Sequence, residues 1–144
     1  MKISKSIIAL INLACLTTAG CGGGGPEFAE VTGTVRVKGK PMAGLRVSFH
    51  PDTELKQFGP TSEGVTDDQG KYTLRCEIPS RKLNETGAVI GSHRVTITDN
   101  DPPATPQGEI PPPDKVEIGY RSVASTPLRA EVKPGSQTID FDIE

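Results

Sequence analysis

The clearest structural signal in the chain is the segment Lys71-Tyr72-Thr73-Leu74-Arg75-Cys76-Glu77-Ile78. Apolar and polar side chains alternate along it with a period of two residues. This period is typical of a β-strand that buries one face and exposes the other. Tyr72, Leu74, Cys76 and Ile78 are therefore predicted to point into a core.

The same alternation recurs on both sides of this segment. It is found at 31–37, 45–49, 64–66, 94–98, 116–120, 128–132 and 139–143. From residue 30 onward no segment shows sustained 3.6-residue apolar spacing, so no helix is predicted. Turn residues separate the strands. The loop 39–44 has the Gly and Pro content of a hairpin, and Pro134-Gly135 suits a type II turn.

Three stretches break the alternation and are predicted to be irregular, namely 51–63, 79–88 and 99–114. Six of the 13 prolines lie in the third stretch, where they supply no backbone N–H to a sheet. This stretch is therefore predicted to be an extended surface loop. Seven or eight short strands joined by turns, with no helix pattern, predict an all-β protein with a Greek-key β-sandwich fold.

The first 21 residues have the pattern of a bacterial lipoprotein signal. Lys2 and Lys5 precede an apolar run, and small residues then lead to Cys21. The run is shorter than the roughly twenty apolar residues of a membrane-spanning helix. Thr18 departs from the usual pattern, which has Leu there, and cleavage at the competing Cys15 would cut the apolar run short. Ordinary secretion and an uncleaved N-terminal anchor are the alternatives.

Cleavage before Cys21 divides the chain into three regions. These are a signal peptide at 1–20, a lipidated cysteine with a Gly-rich tether at 21–29, and one domain at 30–144. The signal holds two of the 16 basic residues and none of the 18 acidic ones, so the mature net charge is 14 minus 18, or −4. This charge balance gives no sign of the basic face that nucleic-acid binding needs, so no nucleic-acid partner is expected. Only Cys76 follows Cys21, so the domain cannot contain a disulfide.

Several segments resemble the carboxypeptidase regulatory-like or transthyretin-like domain family, especially small lipoproteins abundant in planctomycete bacteria. The segment 66–74 is similar to that family's turn-and-strand signature. Further similar segments are 31–35, 39–44, 47–51, 91–97, 128–135 and 141–142. The resemblance covers 31–144 and implies a prealbumin-like β-sandwich. It also implies a non-catalytic accessory or surface domain without a cofactor, although a fold by itself does not define a function.

No residue pattern indicates catalysis. His50 and His93 are the only histidines, and each is predicted to hydrogen-bond at the rim of the sandwich. Tyr120-Arg121-Ser122 is superficially similar to the ending of transthyretin-like hydrolases, but it lacks their Gly and lies more than twenty residues before the terminus. Cys76 has no cysteine partner at zinc-finger spacing and is predicted to be a core residue. The chain is therefore predicted not to be an enzyme, with no catalytic, cofactor-binding or metal-binding residue.

Two binding functions remain open. The acidic loop segments 67–68 and 99–101 offer carboxylates to calcium, but neither has the spacing of a twelve-residue calcium loop. Glycan binding usually uses exposed rings. The chain has no Trp, so the candidate rings are those of Phe28, Phe58 and Tyr120.

The expected function is that of a lipid-anchored lipoprotein of the cell envelope, with palmitate on Cys21. Its β-sandwich domain would act as a structural or interaction module. Gly22 rather than Asp follows the cysteine, which favours sorting to the outer membrane. The expected partners are the membrane, reached through the lipid anchor, and an envelope protein or glycan. A carbohydrate- or calcium-binding module on the cell surface is the alternative.

Overall fold

The computed structural model describes residues 25–102, 104–110 and 112–144. The sequence-based prediction of an all-β protein is confirmed for these residues. The strands are β1 (Phe28–Ala29), β2 (Val31–Val37), β3 (Lys40–Pro41), β4 (Leu45–Pro51), β5 (Ser62–Val65), β6 (Lys71–Thr73), β7 (Arg75–Ile78), β8 (Leu83–Thr86), β9 (Ala88–Val89), β10 (Gly91–Asp99), β11 (Arg129–Val132), β12 (Gln137–Thr138) and β13 (Phe141–Ile143). Three short 3₁₀ helices span Thr53–Leu55, Pro79–Arg81 and Ile118–Tyr120. Within the described ranges, no helix has the length and apolar character of a membrane span.

Six strands form the larger sheet, in the order β11-β10-β4-β5-β7-β8, and all neighbours in it are antiparallel. β10 and β4 make its longest pairing, in which Val95 lies opposite Phe49 and Ile97 opposite Val47. These four side chains are fully buried. The alternation read from the sequence therefore marks the inner face of this sheet correctly.

β2 lies at the centre of the second sheet. It pairs antiparallel with β3 and β6, and parallel with β12 and β13. Phe141 lies opposite Val35 in the parallel pairing. The backbone N–H of Thr34 also donates a hydrogen bond to Oδ1 of Asp140 at 2.7 Å. The end of the described chain is thus joined to its first long strand, while β1 and β9 form a separate two-stranded sheet.

Residues from both larger sheets share one hydrophobic core. Phe49 of β4 meets Phe141 of β13 edge to face, with ring centroids 6.0 Å apart, and Tyr72 of β6 stacks on Phe141 at 6.4 Å. Burying a large apolar side chain contributes about 1.5–3 kcal/mol. This arrangement of two sheets around one core is consistent with a β-sandwich.

The segment 71–78 forms two strands instead of the single strand predicted from its alternation. β6 pairs with β2, whereas β7 pairs with β5 and β8. Leu74 stands between them, and its N–H donates to the Val31 carbonyl at 3.0 Å while its carbonyl accepts from the Gly87 N–H at 2.7 Å. The chain therefore passes from one sheet to the other at Leu74. Tyr72, Leu74 and Cys76 are buried as predicted.

Two predictions about secondary structure are wrong. The segment 116–120 is not a strand, since Ile118–Tyr120 is a 3₁₀ helix and the Ile118 side chain is 75% exposed. Nor is 79–88 irregular throughout, because it contains β8 and β9. β8 is an edge strand with mostly exposed residues. It buries no face that could impose an alternating pattern on its sequence.

The start of the domain in the structure also differs from the start predicted from the sequence. Sequence analysis placed residues 28 and 29 in the tether, but they form β1 and pair with β9. Ala29 is buried in the core. Among the described residues, the strands therefore begin at Phe28, two residues before the boundary drawn from the sequence.

Candidate functional site

Cys21, the lipidation site predicted from the sequence, lies outside the described residues. The described chain begins four residues later, at Gly25. Gly25 and Pro26 line a depression in the surface of the domain, which we call the N-terminal groove. This groove is therefore the part of the described surface that is nearest along the chain to the predicted lipid.

The part of the N-terminal groove around Phe28 and Leu83 is mainly apolar, whereas the part around Phe58 and Ser80 exposes about as much polar as apolar surface. The apolar lining of the whole groove consists of Pro26, Phe28, Phe58, Pro60, Ile78 and Leu83. Arg81 and Glu85 also line it. The Phe58 side chain is 71% exposed, which is unusual for a ring that belongs to a cluster of apolar residues rather than standing alone. Sequence analysis listed Phe28 and Phe58 as exposed rings but did not bring them together.

The loop that carries Phe58 is held by hydrogen bonds at several points. Asp52 caps the 3₁₀ helix Thr53–Leu55, with its Oδ1 accepting from the Glu54 N–H at 3.1 Å. The N–H of Gln57 donates to the Asp52 carbonyl at 3.0 Å, and its side-chain Nε2 donates to the Ile90 carbonyl at 3.0 Å. The exposed ring of Phe58 is therefore presented by a fixed loop.

Sequence analysis missed a cluster of charged residues that anchors this loop, formed by Asp52, Glu54, Arg94 and Arg129. The Asp52 side chain is only 5% exposed. Its Oδ1 lies 3.5 Å from Arg94 Nε, and its Oδ2 lies 4.0 Å from Arg129 Nε. Arg94 also pairs with Glu54. Because a buried carboxylate is costly without such partners, the cluster holds the loop against β10 and β11.

His50 and His93 lie on opposite faces of the larger sheet. His50 Nε2 is 3.0 Å from Thr96 Oγ1, and its Nδ1 is 3.2 Å from Thr61 Oγ1. Burial lowers the pKa of His50, and the nearby charge of Glu63 partly opposes this shift. Both ring nitrogens of His50 are thus hydrogen-bonded to hydroxyl groups of the fold, which indicates a structural role for this residue.

His93 faces the core, beside the ring of Phe49. Its Nδ1 lies 3.0 Å from the Gly91 carbonyl and so carries the proton, while its buried Nε2 has no hydrogen-bond partner within the described residues. Burial lowers the pKa of His93, and its nearness to His50 lowers it further, against the raising effects of the Gly91 carbonyl and Glu131. His93 is therefore held in the neutral form.

Cys76 is fully buried on β7. Burial raises the pKa of the Cys76 thiol, the nearby Ser62 side chain opposes the shift, and the charge of Glu85 adds to it. A thiol in this environment stays protonated and is a poor nucleophile or metal ligand.

In each of the two acidic loop segments, one carboxylate is bound within the fold. Oδ1 of Asp67 accepts hydrogen bonds from the N–H groups of Gln69 at 2.8 Å and Lys71 at 3.0 Å, as expected for a turn. Asp99 pairs with Lys115 at 3.3 Å. Among the described residues, no group of three or more His, Cys, Asp or Glu side chains is arranged to hold a metal ion.

Residues 120–122 lie in a turn region that follows the Pro-rich loop. The Arg121 guanidinium donates to the Val116 carbonyl at 3.0 Å and pairs with Asp114 at 2.7 Å. Arg121 therefore closes the end of that loop. It is not placed beside either histidine by any hydrogen bond or ion pair within the described part of the chain.

Comparisons of the chain with protein-family models, with curated proteins and with solved structures found no match. The family resemblance consequently depends on the short sequence segments alone.

Proposed function

We propose that the protein is a lipid-anchored lipoprotein of the bacterial cell envelope, sorted to the outer membrane through Gly22. Its domain would be a Greek-key β-sandwich of the transthyretin-like type, acting as a non-catalytic structural or interaction module. The observation that carries the proposal is the lipoprotein signal ending at Cys21, only four residues before the described chain enters the N-terminal groove.

Three features of the domain support a non-catalytic role. Both histidines and the one described cysteine are committed to packing or to hydrogen bonds inside the fold. The charged residues around Asp52 pair with one another. The largely exposed Phe58 lies in the N-terminal groove, and an exposed ring of this kind suits contact with another surface better than it suits chemistry.

Metabolic labelling with radioactive palmitate tests the anchor. Wild type and Cys15→Ala should incorporate label equally, whereas Cys21→Ala should incorporate none, because the acylated thiol is missing. Cys15→Ala is the matched control, since it removes the competing cysteine of the same segment. Equal labelling of wild type and Cys21→Ala would refute the proposed anchor.

A glycan-binding module is the second candidate, and the exposed ring of Phe58 is the observation that favours it. A sugar could stack on this ring at the floor of the groove. A glycan array probed with wild type and Phe58→Ala tests the idea. Binding that is lost in the variant would support it, and no binding by wild type would exclude the glycans tested.

A further inference from the structure

We propose that the N-terminal groove lies against the headgroup layer of the membrane. The domain is then held in one orientation and does not rotate freely about its tether. This inference rests on the proposed lipid anchor at Cys21. It adds a membrane-contact surface, built from residues that are distant in sequence from the lipid.

The first argument is the length of chain between the lipid and the groove. Gly25 is four residues from Cys21, and four extended residues span at most about 14 Å. The headgroup layer itself occupies about 5–8 Å on each side of a bilayer. Gly25 and Pro26, which line the groove, therefore cannot move far beyond the headgroups.

The second argument is the apolar surface that the fold presents there. Phe58 lines the groove and is largely exposed, although its loop is fixed by Asp52 and by the bond from Gln57 to Ile90. Because the loop is fixed, it cannot rearrange to bury the Phe58 ring away from water. Partial insertion of this side chain at the boundary of headgroups and acyl chains would remove apolar surface from water.

The third argument is charge. Arg81 lines the groove, Lys82 follows it directly, and Lys56 lies two residues before Phe58. All three are exposed, and none makes an ion pair with another described residue. Long basic side chains can place their charge among phosphates while their stems cover apolar surface. Within the lining itself the charges balance, with Arg81 as the one cation and Glu85 as the one anion, while Lys56 and Lys82 are neighbours of lining residues in the sequence.

The orientation follows from the direction of β10. Its first residue, Gly91, packs beside the Gln57 side chain, close to the Phe58 loop. β10 then runs for nine residues to Asp99, about 26 Å away at about 3.3 Å per residue. Val116 and Arg121 lie beside Thr98 and Asp99 at that far end. The Pro-rich loop that follows Asp99 would therefore point away from the membrane.

The chain has no Trp, which makes a single-tryptophan experiment possible. Phe58→Trp places a reporter in the groove, and Ile118→Trp places the matched control in an exposed helix beside the far end of β10. Both positions are exposed, so neither change disturbs the core. Both variants are expressed in bacteria from the full sequence, purified in detergent and reconstituted in phosphatidylethanolamine and phosphatidylglycerol vesicles that contain brominated phosphatidylcholine.

Two measurements are then made on each protein. Flotation of the vesicles reports whether the protein is anchored, and quenching of the tryptophan emission by the bromine atoms reports contact with lipid. We expect both proteins to float, with the emission of Phe58→Trp blue-shifted and quenched several-fold more strongly than that of Ile118→Trp. Equal quenching of the two reporters in floating protein would overturn the membrane-contact surface and leave the anchor standing.

Two other outcomes are also decisive. Failure of both proteins to float would refute the proposed anchor, and with it the inference that depends on it. A blue shift of the Phe58→Trp emission that grows with protein concentration and is not quenched by brominated lipid would show that a second copy of the chain covers the groove. That result would overturn the membrane assignment.

Discussion

Gly33 in β2 lies directly opposite Tyr72 in β6. The Tyr72 ring packs over the glycine, and its hydroxyl donates a hydrogen bond to the Ile139 carbonyl at 2.5 Å. Because Gly33 has no side chain, there is room for the Tyr72 ring. This ring connects β2, at the centre of the second sheet, to Ile139, which lies just before β13. Burial raises the pKa of Tyr72, so the hydroxyl remains a donor throughout the physiological range.

This contact predicts that Gly33→Ala is strongly destabilising. A Cβ at residue 33 would overlap the Ile139 backbone and the Tyr72 ring, and the backbone there cannot shift without breaking the sheet. We expect the free energy of unfolding to fall by about 3 kcal/mol or more, measured by urea denaturation. Gly119→Ala, where a Cβ meets no atom within 4 Å, is the control and should change it by less than about 0.5 kcal/mol. Equal effects of the two substitutions would contradict the packing described.

The crossing of the chain between sheets predicts opposite outcomes at two adjacent residues. Leu74→Asp would place a carboxylate without partners in the core, since Leu74 is fully buried. It should cost about 4 kcal/mol or more, whereas Thr73→Asp on the exposed face should cost less than about 1 kcal/mol. Thermal denaturation of both variants checks this prediction. Equal melting temperatures would mean that the two faces are assigned wrongly.

The buried charge at Asp52 predicts a large effect on stability. Asp52→Ala leaves the mostly buried Arg94 without its buried carboxylate partner and also removes the cap of Thr53–Leu55. We expect a loss of about 3 kcal/mol, against less than about 1 kcal/mol for Glu54→Ala, whose side chain is largely exposed. Chemical denaturation gives both values. A smaller loss for Asp52→Ala than for Glu54→Ala would show that the cluster does not hold the loop.

The lowered pKa of the buried His93 leads to a prediction of how stability depends on pH. Its pKa in the folded protein is lowered, chiefly by burial, so the unfolded chain binds a proton more readily. Stability is therefore complete above the unfolded pKa of about 6.5 and declines as the pH falls toward the lowered pKa of the folded state. Unfolding curves for wild type and His93→Gln, from neutral pH to about pH 5, should show a weaker decline in the variant.

His50→Gln is the control for this experiment. The pKa of His50 is also lowered by burial, but Glu63 opposes the shift and both ring nitrogens have hydroxyl partners. The variant should retain most of the wild-type pH dependence. If the stability of His93→Gln declines with falling pH as steeply as that of wild type, protonation of His93 does not limit stability in acid.

The inner faces of the strands could be predicted from the sequence because burial acts at every second residue. Val47, Leu74 and Val95 are on the predicted side. The edge strand β8 could not be found this way, since it buries neither face. The parallel pairing of Phe141 with Val35 depends on contacts between distant residues, and no local pattern encodes it.

The candidate sites were predictable to a similar extent. Exposed rings such as Phe58 could be recognised by exclusion from the core pattern, but their grouping with Ile78 and Leu83 needed the three-dimensional arrangement. The charged cluster was missed because Asp52, Arg94 and Arg129 are far apart in sequence. Only the register of β10 against β4 and β11 brings them together.

The parallel pairing also has a consequence for biogenesis. Thr34 and Asp140 are bonded across 106 residues of sequence, so β2 is synthesised long before its last partner. A polypeptide that emerges with its N-terminus first must keep β2 unpaired along that edge until Phe141–Ile143 arrives. Closing so long a loop is slow, because chain entropy is lost before the strand pairing stabilises the fold. A polypeptide cut short before Phe141 would leave this edge of β2 unpaired and open to proteases.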